Sequence, residues 1–587
     1  MYTILENARI VIALLKKHNI RHIVLSPGGS NIPIVQGVQQ DPFFKCYSVV
    51  DERSAMYFAI GIYLQTGEPV ATSCTSAQAT RNYLPGLTEA YYKHAPIFAI
   101  TMSKHPKYLG QDYMQCPIQT SLPIDAVKKS FSLPRISNEH DRALCVRTAN
   151  EAILELTHHG NGPVQLNIEE LDSETWVFDE NIDNLPDVRA IHRYNYWDIL
   201  EPNDLKGKKV MLLIGEHLPF SKQEYSAINS FVKSCDAFVY SNHTSNFYGE
   251  RTLNGNPLAA TISLALFVEQ YKPDIVVTIG GLTGDYAIYS HLYNAPANAF
   301  EHWRISTDGN IVDTYGKLTR VYEMRVSDFC NKMTNTTAAL NDYYTKWKQG
   351  VDAIKYDIDI PLSNLYAAIC LAKNIPENSL MNYAILNSLR VWSFVQFPKV
   401  VRSFSNVAAF GIDGCMSTAI GASIECNQLC FHITGDLAFF YDMNALGIRH
   451  IHNNLRILLC NNNGGMEFKF GNLINQTDVG SYIAADNHFK NSKGWAETNG
   501  FKYYPVHTIE DFNRIISEFV SPSDQPIIIE IFTSPANERL ANQTFVDLNW
   551  HETSKEEIKR EVKKIAKNII GDSTLKIIKR VTKQSNK

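Results

Sequence analysis

Short apolar runs separated by polar, turn-rich stretches recur along the chain in three sets. The first set is His22–Ser26, Tyr47–Val50, Val70–Cys74 and Pro96–Thr101, each ending in turn chemistry, of which Ser26-Pro27-Gly28-Gly29 is the sharpest. Runs this apolar, separated by helical stretches, predict parallel strands covered by helices. A second set follows at Lys208–Gly215, Ala237–Ser241, Asp274–Gly280 and Trp303–Thr307. A third comprises Leu380–Ala384, Lys399–Phe404, Cys430–Thr434, Leu455–Cys460 and Pro526–Thr533. The expected architecture is α/β, with three doubly wound parallel-sheet domains over 1–180, 195–345 and 360–545. The acidic, poorly periodic stretch Glu180–Trp197 reads as a linker, and no sequence repeat links the first and third domains.

Beyond 545 the chain becomes Lys-rich. Ile558, Val562, Ile565 and Ile569 form one helical stripe, with Gly571 as a stop signal. Glu552, Glu556, Glu557 and Glu561 interrupt the basic charge, so the tail 546–587 reads as a solvated helix packed along one stripe rather than a nucleic-acid or membrane segment.

Composition narrows the class. At 587 residues the chain is too long for one core, and a net charge of −5 leaves no basic footprint for nucleic acid. Ile10–Leu15 is apolar but flanked by Glu6, Arg9, Lys16 and Lys17, which marks an amphipathic first helix and not a signal. No uncharged apolar window of about 18 residues occurs, so no membrane span is expected. Eleven cysteines without a CxxC pair read as reduced, buried thiols of a cytoplasmic protein.

Candidate chemistry concentrates at two strand ends. Phe431–Thr434 runs into Gly435-Asp436, and Leu455–Cys460 runs into Asn461-Asn462-Asn463-Gly464-Gly465. Asp, Asn and a glycine-turn carbonyl are hard oxygen donors suited to an octahedral Mg²⁺ that completes its shell with substrate phosphates. Asp436 and Asn462 stand 26 residues apart, room for one crossover helix from Leu437 to about His450 and a return to the neighbouring parallel strand. Strand tips and helix N-termini at that edge favour a metal-bound diphosphate. Either turn alone would read as an ordinary capped βα turn. A second acid stands at Val49-Val-Asp-Glu-Arg-Ser-Ala55, where Asp51 reads as a cap and Glu52 as a residue meeting the helix dipole. Glu52 gains another reading if the diphosphate belongs to a thiamine-type cofactor. A carboxylic acid bonded to the aminopyrimidine ring would hold it in its imino tautomer.

Asp51-Glu-Arg-Ser-Ala, Cys74-Thr-Ser-Ala, Gly411-Ile-Asp-Gly-Cys-Met-Ser-Thr-Ala-Ile-Gly421, Gly435-Asp-Leu and Asn461-Asn-Asn-Gly-Gly together resemble the thiamine-diphosphate-dependent 2-oxoacid decarboxylases and carboligases, and most closely their menaquinone-pathway synthase branch. The resemblance covers about residues 1–545 and is weakest in the middle. It implies thiamine diphosphate and Mg²⁺ as cofactors. Glu52 would be the activating acid, Asp436 and Asn462 side-chain metal ligands, and Gly464 a carbonyl ligand. Ile412 would be the apolar wedge that bends the coenzyme, and Gly435, Leu437 and Gly465 would complete the cofactor-binding set. It also implies a homodimer as the minimum unit, with a homotetramer as the alternative, and small-molecule partners, a 2-oxoacid and a carbonyl or other acceptor.

The chain departs from that branch where the branch holds its anionic substrates. The branch's Ser-Pro-Gly-Ser-Arg reads Ser26-Pro-Gly-Gly29-Ser30, and its Ser-Asn-Arg-Gly-Ala-Ser-Gly reads Ser405-Asn-Val407-Ala-Ala-Phe-Gly. A third arginine aligns with Trp392, and a Lys-Arg pair with Asp285 and Tyr286, while Lys104 and Gln115 match. Arg390 lies two residues from Trp392, about 200° around a helix, and is expected to face away. Glu467, next to Phe468, stands where the branch has an apolar residue and would repel a distal carboxylate. Ala77 and Gln78 replace the branch's usual Gly-Thr. Charge-assisted hydrogen bonds contribute about 1.5–3 kcal/mol each, so losing three weakens such substrates by up to about 4–9 kcal/mol. The expected function is non-oxidative decarboxylation of a 2-oxoacid with carboligation, on a substrate shifted from that branch. The alternatives are the branch's own 2-succinyl-5-enolpyruvyl-6-hydroxy-3-cyclohexene-1-carboxylate synthesis and a non-catalytic cofactor-binding homologue.

Overall fold

The computed structural model describes residues 1–170, 178–179, 181–334, 342–470 and 480–560. The chain divides into two compact units, Met1–Asn195 with Thr307–Glu323, and Tyr196–Ser306 with Met324–Lys587.

Unit 1 is built on six parallel strands: β1 His22–Leu25, β2 Lys45–Ser48, β3 Val70–Cys74, β4 Ile97–Ser103, β5 Lys129–Leu133 and β6 Val164–Glu169. Their order is β2-β1-β3-β4-β6-β5. One core contains Ile10, Val11, Leu14 and Leu15 of the Glu6–Lys17 helix and Ala149, Ala152 and Ile153 of the Glu139–Glu155 helix. The other contains Ala55, Met56 and Ala59 of the Glu52–Thr66 helix. The first helix carries Glu6 in its first turn and Lys16 and Lys17 in its last, which complements its dipole. β1, β3 and β4 fall within two residues of their expected runs. So does β2, two residues earlier than expected, whereas β5 and β6 were not anticipated. β6 hides because its buried Gln165 and Asn167 interrupt the apolar run. Gln165 Nε2 donates to Thr101 Oγ1 at 3.1 Å, and Asn167 Nδ2 to Ser103 Oγ at 2.7 Å.

The expected linker needs correction. His192–Asn195 is a strand paired in parallel with Leu318–Glu323, and Tyr194 stacks on Tyr322 at 5.3 Å. Ring stacking, rather than an aliphatic run, gives this polar strand its packing.

Unit 2 contains five parallel strands in the order Thr252–Asn254, Phe238–Ser241, Val210–Ile214, Ile275–Ile279, Glu301–Ile305. It also contains a six-stranded parallel sheet: β7 Leu380–Tyr383, β8 Arg402–Ser405, β9 Cys430–Gly435, β10 Leu455–Asn461, β11 Lys502–Val506 and β12 Ile527–Phe532. The order here is β8-β7-β9-β10-β12-β11. Position for position this is the order of the unit 1 sheet, although no repeat shows in the sequence. The crossover from β9 to β10 is shorter than expected, a helix over Asp436–Asp442 followed by a 3₁₀ turn over Met443–Gly447.

All eleven cysteines are free. Seven are buried, but Cys46 is exposed, because β2 is an edge strand none of whose residues is buried. No helix among the described residues is long and apolar enough to cross a membrane. Residues 554–560 of the expected tail are helical, with Ile558 largely exposed. Val562, Ile565, Ile569 and Gly571 lie outside the described residues.

Candidate active site

β9 and β10 are adjacent and parallel, paired up to Gly435 with Cys460, so their carboxyl ends deliver Asp436 and Asn462 to one edge. Asp436 opens its helix and is 2% exposed. Its carboxylate accepts from the Leu437 N–H at 2.7 Å and the Gly464 N–H at 2.9 Å. Burial outweighs those donors and pushes its pKa up to about 6.

The three asparagines divide their tasks. Asn461 is structural, its amide donating to Glu530 Oε1 at 2.7 Å and the Lys490 carbonyl at 3.0 Å. Asn463 takes a left-handed φ of 66° and donates to Asn487 Oδ1 at 3.0 Å. Asn462 is buried, and its Oδ1 has no hydrogen-bond partner among the described residues. Gly464 then reverses the chain at φ 131°, where a Cβ would stand 2.7 Å from the Ala484 carbonyl, so only glycine fits. A Cβ on Gly435 would meet nothing within 4 Å, so the β9 tip faces open space.

A buried carboxylate with a raised pKa and a buried amide oxygen without a donor are both costly by themselves. A cation held between them would relieve both, so this donor set fits a hard divalent ion. The surrounding cleft, of about 90 Å³, is lined by Gly435, Leu437, Ile412, Gly465 and Phe468, among others. Ile412 rests on Ala384, Cys415 and Ala438 at the cleft wall. Leu386, at φ 65° and ψ −127°, turns β7 into the short Asn387–Trp392 helix. A non-glycine residue held there stores about 1–3 kcal/mol of strain.

Two expected substrate positions are corrected. Trp392 is fully buried, its indole N–H donating to Asn364 Oδ1 at 3.1 Å. Val407 is likewise buried in the core of the third sheet. Glu467 lines the cleft but is no bare anion, since Arg390 pairs with it and lies 3.5 Å over the Tyr286 ring. The expected rotation between Arg390 and Trp392 holds, but its consequence is reversed. The tryptophan turns into the core, and the arginine reaches a cleft residue.

In unit 1, Ser30 Oγ bonds Thr75 Oγ1 at 2.6 Å and accepts from the Ser76 N–H at 3.1 Å, while Gly29 is part-buried in the same turn. A Cβ on Gly28 would stand 2.4 Å from Thr75 Cβ, so this turn packs against the β3 tip. Lys104 and Gln115 line one cleft of about 260 Å³. Lys104 is ion-paired with buried Glu170 at 3.1 Å, so its charge is already matched. Glu52 begins the Glu52–Thr66 helix and accepts from Asn82 Nδ2 at 3.1 Å. Asp51 caps as expected, accepting from the Arg53 N–H at 3.2 Å and from Ser54 Oγ at 2.7 Å. Glu52 itself is part-exposed rather than enclosed by strand residues. Ala77 holds φ 66° and ψ −116°, a region natural for the glycine of the related motif.

One group had no sequence signal. Glu538 is fully buried, accepts from the Asn364 N–H at 2.9 Å and from Cys460 Sγ at 3.4 Å, and has its other oxygen unpartnered. Burial pushes its pKa up to about 7, and nearby Asp436 adds to the rise. Its partners come from segments far away in sequence, so periodicity could not flag it.

Residues 6–122 match the thiamine pyrophosphate enzyme N-terminal TPP binding domain. A 2-succinyl-5-enolpyruvyl-6-hydroxy-3-cyclohexene-1-carboxylate synthase of Bacteroides thetaiotaomicron is 33% identical, the alignment covering 91% of this chain and 97% of the relative. The synthase of the same name from Phocaeicola vulgatus is 34% identical over 91% of this chain and 96% of its own, and that of Flavobacterium johnsoniae 26% identical over 93% and 100%. The chain belongs to the thiamine-diphosphate-dependent enzyme family that contains these synthases.

Proposed function

We propose that the chain is a thiamine-diphosphate- and Mg²⁺-dependent enzyme that decarboxylates a 2-oxoacid and joins the remaining acyl unit to an acceptor, with substrates less anionic than those of its menaquinone-pathway relatives. Asp436, Asn462 Oδ1 and the Gly464 carbonyl would hold the metal, with Gly435, Leu437 and Gly465 around the diphosphate. When bound, thiamine diphosphate supplies the electron sink that a 2-oxoacid needs to lose carbon dioxide. Glu52 would hold a proton at the aminopyrimidine ring nitrogen, and Asn82 orients its carboxylate. Ile412 would support the bend between the coenzyme's rings. Glu52 of one protomer would serve the metal site of a second, in a homodimer or homotetramer in the cytoplasm.

The Arg390–Glu467 pair carries the substrate half of this reading. An arginine beside the cleft is neutralised by the protein's own carboxylate, and Lys104 by Glu170. Both cations are therefore committed before any substrate carboxylate arrives. A second reading, the synthase activity of the relatives, is favoured by identity along 91% of the chain. Incubating the holoenzyme with isochorismate and 2-oxoglutarate, and separately with pyruvate and other 2-oxoacids plus aldehydes, decides between them by mass spectrometry of the products. Robust turnover of the first pair would defeat the proposed substrate shift. Coenzyme binding with no 2-oxoacid consumed would favour a non-catalytic protein.

A further inference from the structure

Unit 1 carries a second cluster of ligating side chains at the amino-terminal edge of its sheet, the edge opposite Glu52. His158 and His159 lie in the turn between the Glu139–Glu155 helix and β6, and Glu323 ends the strand Leu318–Glu323. One ligand atom from each lies within 4.8 Å of the others. His158 Nε2 is 3.8 Å from Glu323 Oε2, and His159 Nε2 is 3.1 Å from Glu323 Oε1. Ligands about 2.1 Å from a tetrahedral zinc ion are separated by about 3.4 Å, so these spacings bracket the coordinated value.

Three further features point to a ligand. His159 holds φ 51°, an uncommon conformation for a non-glycine residue, and this turn brings its ring within 3.9 Å of the His158 ring, centroid to centroid. His158 Nδ1 lies 3.2 Å from Glu155 Oε2, the carboxylate–imidazole arrangement that orients a metal-binding histidine. Its other ring nitrogen, Nε2, the atom nearer Glu323, also lies 3.0 Å from the Asp308 carbonyl oxygen. Buried Glu323 Oε2 has no hydrogen-bond partner among the described residues. Arg193 stands 3.8 Å from it, with Nε and Nη1 committed to the carbonyls of Gly309 and Leu154.

We propose that His158, His159 and Glu323 form a site for a divalent transition ion of the zinc class, clamping the turn before β6 to the end of the Leu318–Glu323 strand. Two imidazoles and one carboxylate suit zinc, nickel or copper and not Mg²⁺, which separates this site chemically from the Asp436–Asn462 pair. Arg193 and Lys128, which lies 3.7 Å from Glu155, offset the two carboxylates, so the ion should exchange rather than be held permanently.

The test uses tag-free, full-length protein stripped with chelator, titrated with zinc(II) by calorimetry and with cobalt(II) by visible absorption. One zinc equivalent and a four-coordinate cobalt spectrum should appear, persist in Asp436→Asn, and disappear in His159→Ala and Glu323→Gln. Glu155→Gln should weaken binding about 10–100-fold. His159 is 62% exposed, so its replacement leaves the fold intact. No saturable uptake, equal uptake by wild type and His159→Ala, or loss of the equivalent in Asp436→Asn would each overturn the proposal.

Discussion

Replacing Asp436 by Asn should stabilise the cofactor-free chain above pH 6 while abolishing its response to Mg²⁺ and thiamine diphosphate. The folded-state pKa rises from 3.8 to about 6 because the carboxylate is buried. At 1.36 kcal/mol per unit, holding it ionised costs about 3 kcal/mol. The direction follows from the raised value: the cost is fully present above pH 6 and is relieved as pH falls from about 6 towards 4. An Asn oxygen can keep one of the two backbone donors, and losing the other costs about 1 kcal/mol. The net gain for the variant at pH 8 is therefore about 2 kcal/mol. Burial also raises Glu538, to about 7, so wild-type stability carries two overlapping titrations of the same sign. The difference between variant and wild type reads Asp436 together with its effect on Glu538, which the lost charge lets fall.

Urea unfolding between pH 4 and 8, followed by the fluorescence of Trp303, Trp347 and Trp392, buried in unit 2, measures that difference. Metal and coenzyme at about 100 times their Kd should add about 2.7 kcal/mol to the wild type and nothing to the variant. A variant less stable than wild type at pH 8 without cofactor, or a difference that stays flat across this range, would refute the burial argument.

Glu52→Gln should lower turnover about 10²–10⁴-fold while coenzyme affinity, read by quenching of protein fluorescence, stays near wild type; normal turnover would remove Glu52 from the mechanism. Glu467→Leu frees Arg390 and should raise kcat/KM for 2-oxoglutarate over pyruvate by about tenfold or more, at a stability cost of about 1 kcal/mol or less because both partners are about a quarter exposed. An unchanged ratio would show that Arg390 does not face substrate. Ala77→Gly relieves the strain at φ 66° and should stabilise unit 1 by about 0.5–2 kcal/mol after glycine's own entropic cost, measured as a shift in melting temperature.

The sequence revealed most where physics is local. Strands buried on both faces, such as Val70–Cys74 and Leu455–Asn461, leave short, mostly apolar runs bounded by turn residues, and these stood within a residue of their expected places. The edge strand Lys502–Val506, with Pro505 inside it, left no such run, because an edge strand need be neither apolar throughout nor a donor at every residue. The adjacency of Asp436 and Asn462 was legible because a crossover of that length leaves few topologies. The lining of the cleft was not. Arg390 and Glu467 meet across 77 residues, and Asn364 and Glu538 across 174, distances over which periodicity carries no information. Trp392 and Val407 were placed by motif position alone, which fixes a residue's address but not which way its side chain turns.

Two sheets with one strand order carry different residues at their tips, and the difference follows from what each tip must do. Asp436 and Asn462 end β9 and β10, interior strands with a neighbour on either side. Flanking strands exclude water, and a hard cation gains most from oxygen donors in such a place. Glu52 follows β2, the outermost strand of its sheet, and opens a helix whose Tyr57, Phe58 and Leu64 are exposed. An acid at a sheet margin can present itself to a second molecule. Exposed aromatic and aliphatic side chains on the same helix suit a surface that another protomer covers. On this argument Leu64→Glu should weaken self-association and lower activity together, with activity recovering as protein concentration rises. If the variant stays fully active at dilutions where it sediments as a monomer, the Glu52 margin and the metal tips do not depend on a second chain.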